Sequence, residues 1–246
     1  MDTARRAVEA AAEASLRHWR RLDSVETKSD GTAVTVADAE SEAAILAVIR
    51  GAFPGHAVLT EESGMLGEPG TTRWIVDPLD GTLGFSRGGQ FWGPLVALEH
   101  EGRVVAGAMA LPALQETYWA GRGMGAWRDG ERLAVSEVSD WGRATLVLGE
   151  MGRLLEGSSE AGVLSLLRTA RQTRCPGDLA GAAAVLNGRA EAWLEAGVKP
   201  WDVAAVAVLV EEAGGRFTDF AGAASIESGE AVASNGRLHA HVLRHL

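Results

Sequence analysis

The stretch Trp74-Ile75-Val76-Asp77-Pro78-Leu79-Asp80-Gly81-Thr82 ends an apolar run in two aspartates three residues apart, with a proline between them. Pro78 fixes its own φ and pushes Asp77 toward an extended conformation. A turn is expected there, which would let both carboxylates and the Leu79 carbonyl converge on one point. Oxygen donors grouped in this way suit a hard cation such as Mg2+. Gly81 and Thr82 add a flexible backbone and a hydroxyl, and a helical turn starting here would offer free N–H groups to a phosphate. The same residues also fit a helix-capping turn, in which side-chain oxygens take up loose backbone donors.

Other carboxylates sit at the ends of apolar segments. Glu61 and Glu62 follow the apolar run that ends at Thr60, where a glutamate can add a ligand, orient a water or simply belong to a solvated acidic loop. Asp202 lies at the start of the apolar segment Pro200–Ala213, where it can bind a cation or complement the helix dipole. Asp38 completes a capping box with Thr35. Lys28 reads as a surface lysine, and Asp178, after Pro176-Gly177, reads as an N-cap. Of the six histidines, only His241 and His245 stand four apart, and Val242 rather than glutamate follows the first, so the His-Glu-x-x-His pattern of a zinc hydrolase is missing.

The elements that must position these groups follow from periodicity. Residues 3–21 and 35–50 read as amphipathic helices. Strand patterns follow at 56–60, 73–76, 91–99, 104–111 and 117–120, with His100-Glu101-Gly102-Arg103 as a hairpin turn and 127–133 as a short hairpin around Asp129-Gly130. Between them, Ser29-Asp30-Gly31-Thr32 is a loop and the Gly121–Gly125 cluster a turn. The second half alternates: strands at 145–148, 172–174, 190–194, 216–218 and 231–233, and helices at 160–169, 178–187, 200–213 and 237–246. Such alternation implies sheets covered by helices, an α/β (α+β) class. The join near Val135–Arg143 suggests two lobes, 1–140 with most of the carboxylates and 141–246 with Asp178, Glu195 and Asp202.

Twenty-three basic against 33 acidic residues leave a net charge of −10, which argues against nucleic-acid binding. Bound divalent cations would reconcile that charge with an anionic substrate. Cys175 is the single cysteine, so no internal disulfide forms, and a cytoplasmic location is expected. The first 21 residues lack a signal-peptide stretch, and no apolar run is long enough to span a bilayer, so no membrane association is expected.

Three motifs in order, Glu61-Glu62-Ser63-Gly64, residues 74–82, and Trp201-Asp202-Val203-Ala204-Ala205 with Glu212-Ala213-Gly214-Gly215, resemble the inositol monophosphatase superfamily. Lys28 with Val34-Thr35-Val36-Ala37-Asp38 is similar to its N-terminal motif. The resemblance implies a layered αβαβα sandwich, a homodimer and two or three Mg2+ ions. It implies Glu61, Asp77, the Leu79 carbonyl, Asp80 and Asp202 as ligands. Asp80 would be needed for catalysis, with Glu61 and Thr82 orienting the attacking water. Gly81 and Thr82 would bind phosphate, and Gly177, Asp178, Glu195 and Asp202 would contact the substrate. Lys28 and Asp38 would lie near a third, looser metal. The implied reaction is in-line hydrolysis of a small phosphorylated metabolite, with cations activating water and neutralising the leaving oxygen.

Phe85-Ser86-Arg87-Gly88, the run Phe91-Trp92-Gly93-Pro94-Leu95-Val96-Ala97-Leu98 and the pair Gly177-Asp178 are similar to the histidinol-phosphate phosphatase branch, which makes Asp178 a candidate partner for a substrate ammonium. Gly84 and Thr32 depart from the usual asparagine and aspartate of inositol phosphatases. The alternatives are an inositol, sugar or nucleotide phosphatase of the same superfamily, or a non-catalytic regulatory protein on this fold.

Overall fold

The computed structural model describes residues 1–22, 24–28, 31–156 and 159–246; Ser29 and Asp30 of the expected loop lie outside them. Five layers stack in the order helix, sheet, helix, sheet, helix, and strand alternation shows why. In the strand Thr72–Asp80, Trp74 and Val76 face the paired helices Asp2–Leu16 and Val36–Ala52. Ile75, one residue out of phase, faces the middle helices Asp178–Leu186 and Pro200–Glu212. The second sheet repeats the pattern. Val147, Trp193, Ala231 and Ala233 point to the middle layer, while Leu146, Leu148, Leu194 and Val232 pack under Glu160–Thr169 and His239–Leu243. A period of two buries both faces of each sheet.

The first sheet has eight strands, ordered Glu131–Arg132, Gly125–Arg128, Glu116–Gly121, Arg103–Leu111, Gly93–His100, Thr72–Asp80, Ala57–Thr60 and Gly64–Leu66. Within this sheet, among the described residues, only Ala57–Thr60 and Thr72–Asp80 pair in parallel. The second has five strands, ordered Gln172–Arg174, Thr145–Leu148, Ala192–Ala196, Glu230–Ser234 and Arg216–Thr218.

The apolar helix Pro200–Glu212 is wedged between the two sheets, with every residue from Val203 to Val210 buried. A helix apolar on all sides is stable only in such a position. It approaches the first sheet at Gly107, where an added Cβ would lie 2.8 Å from Val208 Cγ1 and 2.9 Å from Ala205 Cα. Because one of those atoms is backbone, Gly107→Ala is expected to cost about 1–3 kcal/mol by overpacking. Urea unfolding should show a lower midpoint with an unchanged slope; wild-type stability would mean the helix can shift at no cost.

Three local expectations need correction. The chain does not turn at Pro78: the strand continues to Asp80, and the missing pairing is absorbed as a register shift between Asp77 and Asp80 against Gly93–His100. A bulge re-aims side chains without ending a strand. The first helix stops at Leu16 rather than residue 21, because Trp19 is drawn off to donate from Nε1 to Gly89 O at 2.8 Å, and Arg20 is left-handed at φ 61°. The last helix is shorter than expected, spanning His239–Leu243. Among the described residues, no helix is long and apolar enough to cross a membrane.

Candidate functional site

The end of the strand Thr72–Asp80 meets the first turn of Pro200–Glu212. This brings one carboxylate oxygen from each of Asp77, Asp80 and Asp202 within 4.8 Å of one another. Backbone donors hold each group in place. Asp77 Oδ1 accepts from Leu79 N at 2.9 Å, and Asp202 Oδ2 accepts from Lys199 N at 2.7 Å. Asp80 Oδ2 accepts from Leu179 N at 2.8 Å, across 99 residues. Asp202 therefore both closes its own helix terminus and joins the trio.

The N-cap role expected of Asp178 falls elsewhere. Asp178 is the first helical residue, its side chain caps nothing, and Asp80 serves that helix's first turn instead. The reason is conformational: Gly177 and Asp178 are both left-handed, at φ 77° and 47°, which turns the Asp178 carboxylate toward Gly81. A Cβ on Gly81 would stand 2.9 Å from Asp178 Oδ2, and Gly81 itself has φ 79°, so only glycine fits there.

Lys28 is not a free surface lysine. Its Nζ donates to Glu61 Oε1 at 2.8 Å and Glu62 Oε1 at 2.6 Å. Burial disfavours its charge, but the two carboxylates outweigh that and raise its pKa. Glu61 and Glu62 are thus tied into an ion-pair cluster rather than a solvated loop. Glu61 lines the same cleft as Asp77, Asp80 and Asp202 but stands outside the trio. Asp38 forms the expected capping box and reaches further. Its Oδ2 accepts from Thr35 N at 2.7 Å, and its Oδ1 accepts from Thr82 Oγ1 at 2.9 Å. Thr82 Oγ1 is equally close to Leu79 O, at 2.9 Å. Gly81 caps the short helix Thr82–Ser86, so the helical turn expected at that point is present.

Among the described residues, none of the trio has a Lys, Arg or His ion-pair partner. Burial, then repulsion from Glu61, Asp80 and Asp202, raises the Asp77 pKa well above the carboxylate range. Burial, then Asp178 and Asp202, does the same to Asp80. Asp202 rises to about 6, through burial opposed by the Lys199 N–H and reinforced by Glu61. Clustered oxygen-only donors whose charged forms are disfavoured by burial and by one another fit a hard divalent cation.

Two clefts meet on Asp80, Asp178 and Asp202. One, of 510 Å³, adds Glu61, Asp77, Gly81 and Thr82. The other, of 370 Å³, adds Glu150, Cys175, Gly177, Trp193 and Glu195. Glu195 is the next-to-last residue of the strand Ala192–Ala196, and its Oε1 accepts from Glu150 N at 2.7 Å. Burial lifts its pKa to about 7, against the relief from the Glu150 and Ala196 N–H groups. Asp178 rises to about 6 through burial and the Glu150 charge. The Glu195 carboxylate occupies the space a side chain on Gly149 would need, a Cβ there falling 1.3 Å from Oε2. Neither Gly149 nor Glu150 stands out in the sequence; their one signal is position, directly after the strand Thr145–Leu148.

The profile of the inositol monophosphatase family matches residues 1–246. A histidinol-phosphatase of Mycobacterium tuberculosis is 37% identical over 227 residues, covering 90% of this chain and 87% of that protein. A fructose-1,6-bisphosphatase/inositol-1-monophosphatase of Thermotoga maritima is 35% identical over 230 residues, covering 92% and 88%. Among solved structures, the extragenic suppressor protein suhB of Bartonella henselae superposes with a TM-score of 0.92 at 29% identity, covering 100% of this chain and 97% of that one. The layered sandwich expected from the motifs is the observed fold.

Proposed function

The chain belongs to the inositol monophosphatase family, and on that premise we propose that it is a Mg2+-dependent phosphomonoesterase that hydrolyses histidinol phosphate to histidinol. The observation that carries the substrate is the acidity of the 370 Å³ cleft. Glu150, Asp178, Glu195 and Asp202 line it, and no lysine or arginine is among the described residues that do. A polyol offers such a cleft only neutral hydroxyls. A substrate ammonium offsets the burial, and the lesser repulsion among these carboxylates, that raises Asp178 and Glu195. The likeness to a histidinol-phosphatase supports the same choice.

In this reading Asp77, Asp80, Asp202 and the Leu79 carbonyl would hold Mg2+, with Glu61 beside them and Lys28 and Asp38 at the margin. When bound, the ion supplies positive charge that acidifies water and offsets charge on the leaving oxygen. Thr82 Oγ1, hydrogen-bonded to Asp38, fixes the position of the attacking water together with Glu61. The Gly81 and Thr82 amides receive the phosphate. Asp178 and Glu195 orient the amino alcohol so that its ester oxygen points back toward Asp80.

Phosphate release with Mg2+ across histidinol phosphate, inositol 1-phosphate, fructose 1,6-bisphosphate and adenosine 3′,5′-bisphosphate tests the assignment. Histidinol phosphate is expected to give the highest kcat/KM, and a clear preference for another member refutes the substrate. Asp178→Asn keeps the shape and tolerates the left-handed backbone. It should reduce selectivity for histidinol phosphate over inositol 1-phosphate about 10- to 100-fold, the worth of one hydrogen bond to a charged group. An unchanged ratio removes Asp178 from the amine contact.

A further inference from the structure

Glu61 and Glu62 ride on the turn between the strands Ala57–Thr60 and Gly64–Leu66. One side of this turn is anchored by backbone: Glu61 N donates to Val76 O at 3.1 Å, immediately before Asp77. The other side is anchored by a side chain from a different layer. Glu42, on the helix Val36–Ala52, is only 9% exposed, and its two carboxylate oxygens take one hydroxyl each. Thr60 Oγ1 donates to Oε1, and Ser63 Oγ donates to Oε2 at 2.7 Å. Thr60 Oγ1 also accepts from Ser63 N at 2.9 Å, which closes a ring beneath the two glutamates.

Each hydroxyl has one proton and two acceptor positions, and both protons go to Glu42. Glutamine could keep the ring by letting one hydroxyl accept from its amide, so a side chain with no polar end, such as alanine, is what opens both links. Among the described residues Glu42 has no cationic partner, so it is a buried acceptor whose contacts are these two hydroxyls.

Resting on the cation-binding reading above, we propose that Glu42 is a positioning residue: its carboxylate ring fixes the Thr60–Ser63 turn so that Glu61 is presented beside Asp77 for the divalent ion. Glu42 touches neither ion nor substrate and acts through the turn. Groups one layer behind a metal site typically change cation affinity about 10- to 100-fold when replaced.

Calorimetric titration of the chelator-treated protein with Mn2+, without substrate, reads the effect independently of turnover. Glu42→Ala is expected to weaken Mn2+ binding at least about tenfold and to raise the Mg2+ concentration for half-maximal phosphate release in proportion, leaving the KM for substrate at saturating Mg2+ unchanged. Ser63→Ala, at the exposed end of the ring, removes one link and should give a smaller loss in the same direction. The double variant should bind Mn2+ no more weakly than Glu42→Ala alone, because both changes break one ring. Folded Glu42→Ala or Ser63→Ala with wild-type Mn2+ affinity overturns the positioning role, as does additive weakening in the double variant. If Glu42→Ala does not fold, Ser63→Ala decides alone. Wild-type protein that binds no Mn2+ would instead refute the cation-binding reading itself.

Discussion

Asp80→Asn is expected to reduce phosphate release at saturating Mg2+ by at least about 1,000-fold, roughly 4 kcal/mol of transition-state stabilisation, while leaving the metal-free protein as stable as the parent or more so. The two halves of this expectation have one origin. Asp80 is half-buried, with Asp178 and Asp202 facing it, and its pKa is raised because its charge is unwelcome without a cation. Asparagine removes the charge and keeps an oxygen for the Leu179 N–H. Relief of repulsion should therefore raise the thermal midpoint of the metal-free protein even as the site loses a ligand. Phosphate release and calorimetry on one preparation check both halves. Activity within tenfold of the parent would remove Asp80 from the proposed chemistry.

Excess chelator is expected to abolish phosphate release, and Mg2+ to restore it. Saturation with Mg2+ at about 100 times its dissociation constant should stabilise the fold by about 2.7 kcal/mol, a rise of roughly 5–10 °C in the thermal midpoint for a chain of this size. At one fixed Mg2+ concentration, the gain has a predictable pH dependence. Asp202 and Asp178 titrate near 6, Glu195 near 7, and Asp77 and Asp80 well above the ordinary carboxylate range. All are raised relative to the unfolded chain. The metal-free fold therefore retains protons that the unfolded chain has released, and it loses stability as pH rises through these values. Mg2+ replaces the lost protons, so its stabilising effect should be larger near about pH 8 than near about pH 5.5. An equal shift at both, or full turnover in chelator, would contradict a cation held by these groups.

The elements closest to the chemistry were legible because their signals are local. An apolar run ending in Asp-Pro-Leu-Asp predicts converging oxygens from backbone geometry alone, and Thr35 with Asp38 is a complete capping box within four residues. Pro78 does not end the strand. It removes one ladder donor, but pairing from Asp77 to Leu95 and from Asp80 to Gly93 lets the strand pass through with a register shift. Local sequence alone gives Lys28 and Asp178 the roles of a surface lysine and an N-cap, because those are the usual roles in such settings. Their actual contacts, Glu61 with Glu62 and the space beside Gly81, come from other stretches of chain.

By itself, the amino-acid order determined the strand and helix sequence and the segments that carry acidic groups, since periodicity, capping and turn chemistry act over a few residues; the layered stacking followed from the resemblance of the motifs to a family. Only the tertiary structure decided which of those groups meet. Asp80 reaches the helix that begins at Asp178, Glu195 fills the space left open by Gly149, and Glu42 supports the turn bearing Glu61. The physical reason is range. Hydrogen bonds and charge repulsion act within a few ångströms, and bringing residues about a hundred positions apart to that distance is the work of burying helix Pro200–Glu212 between two sheets.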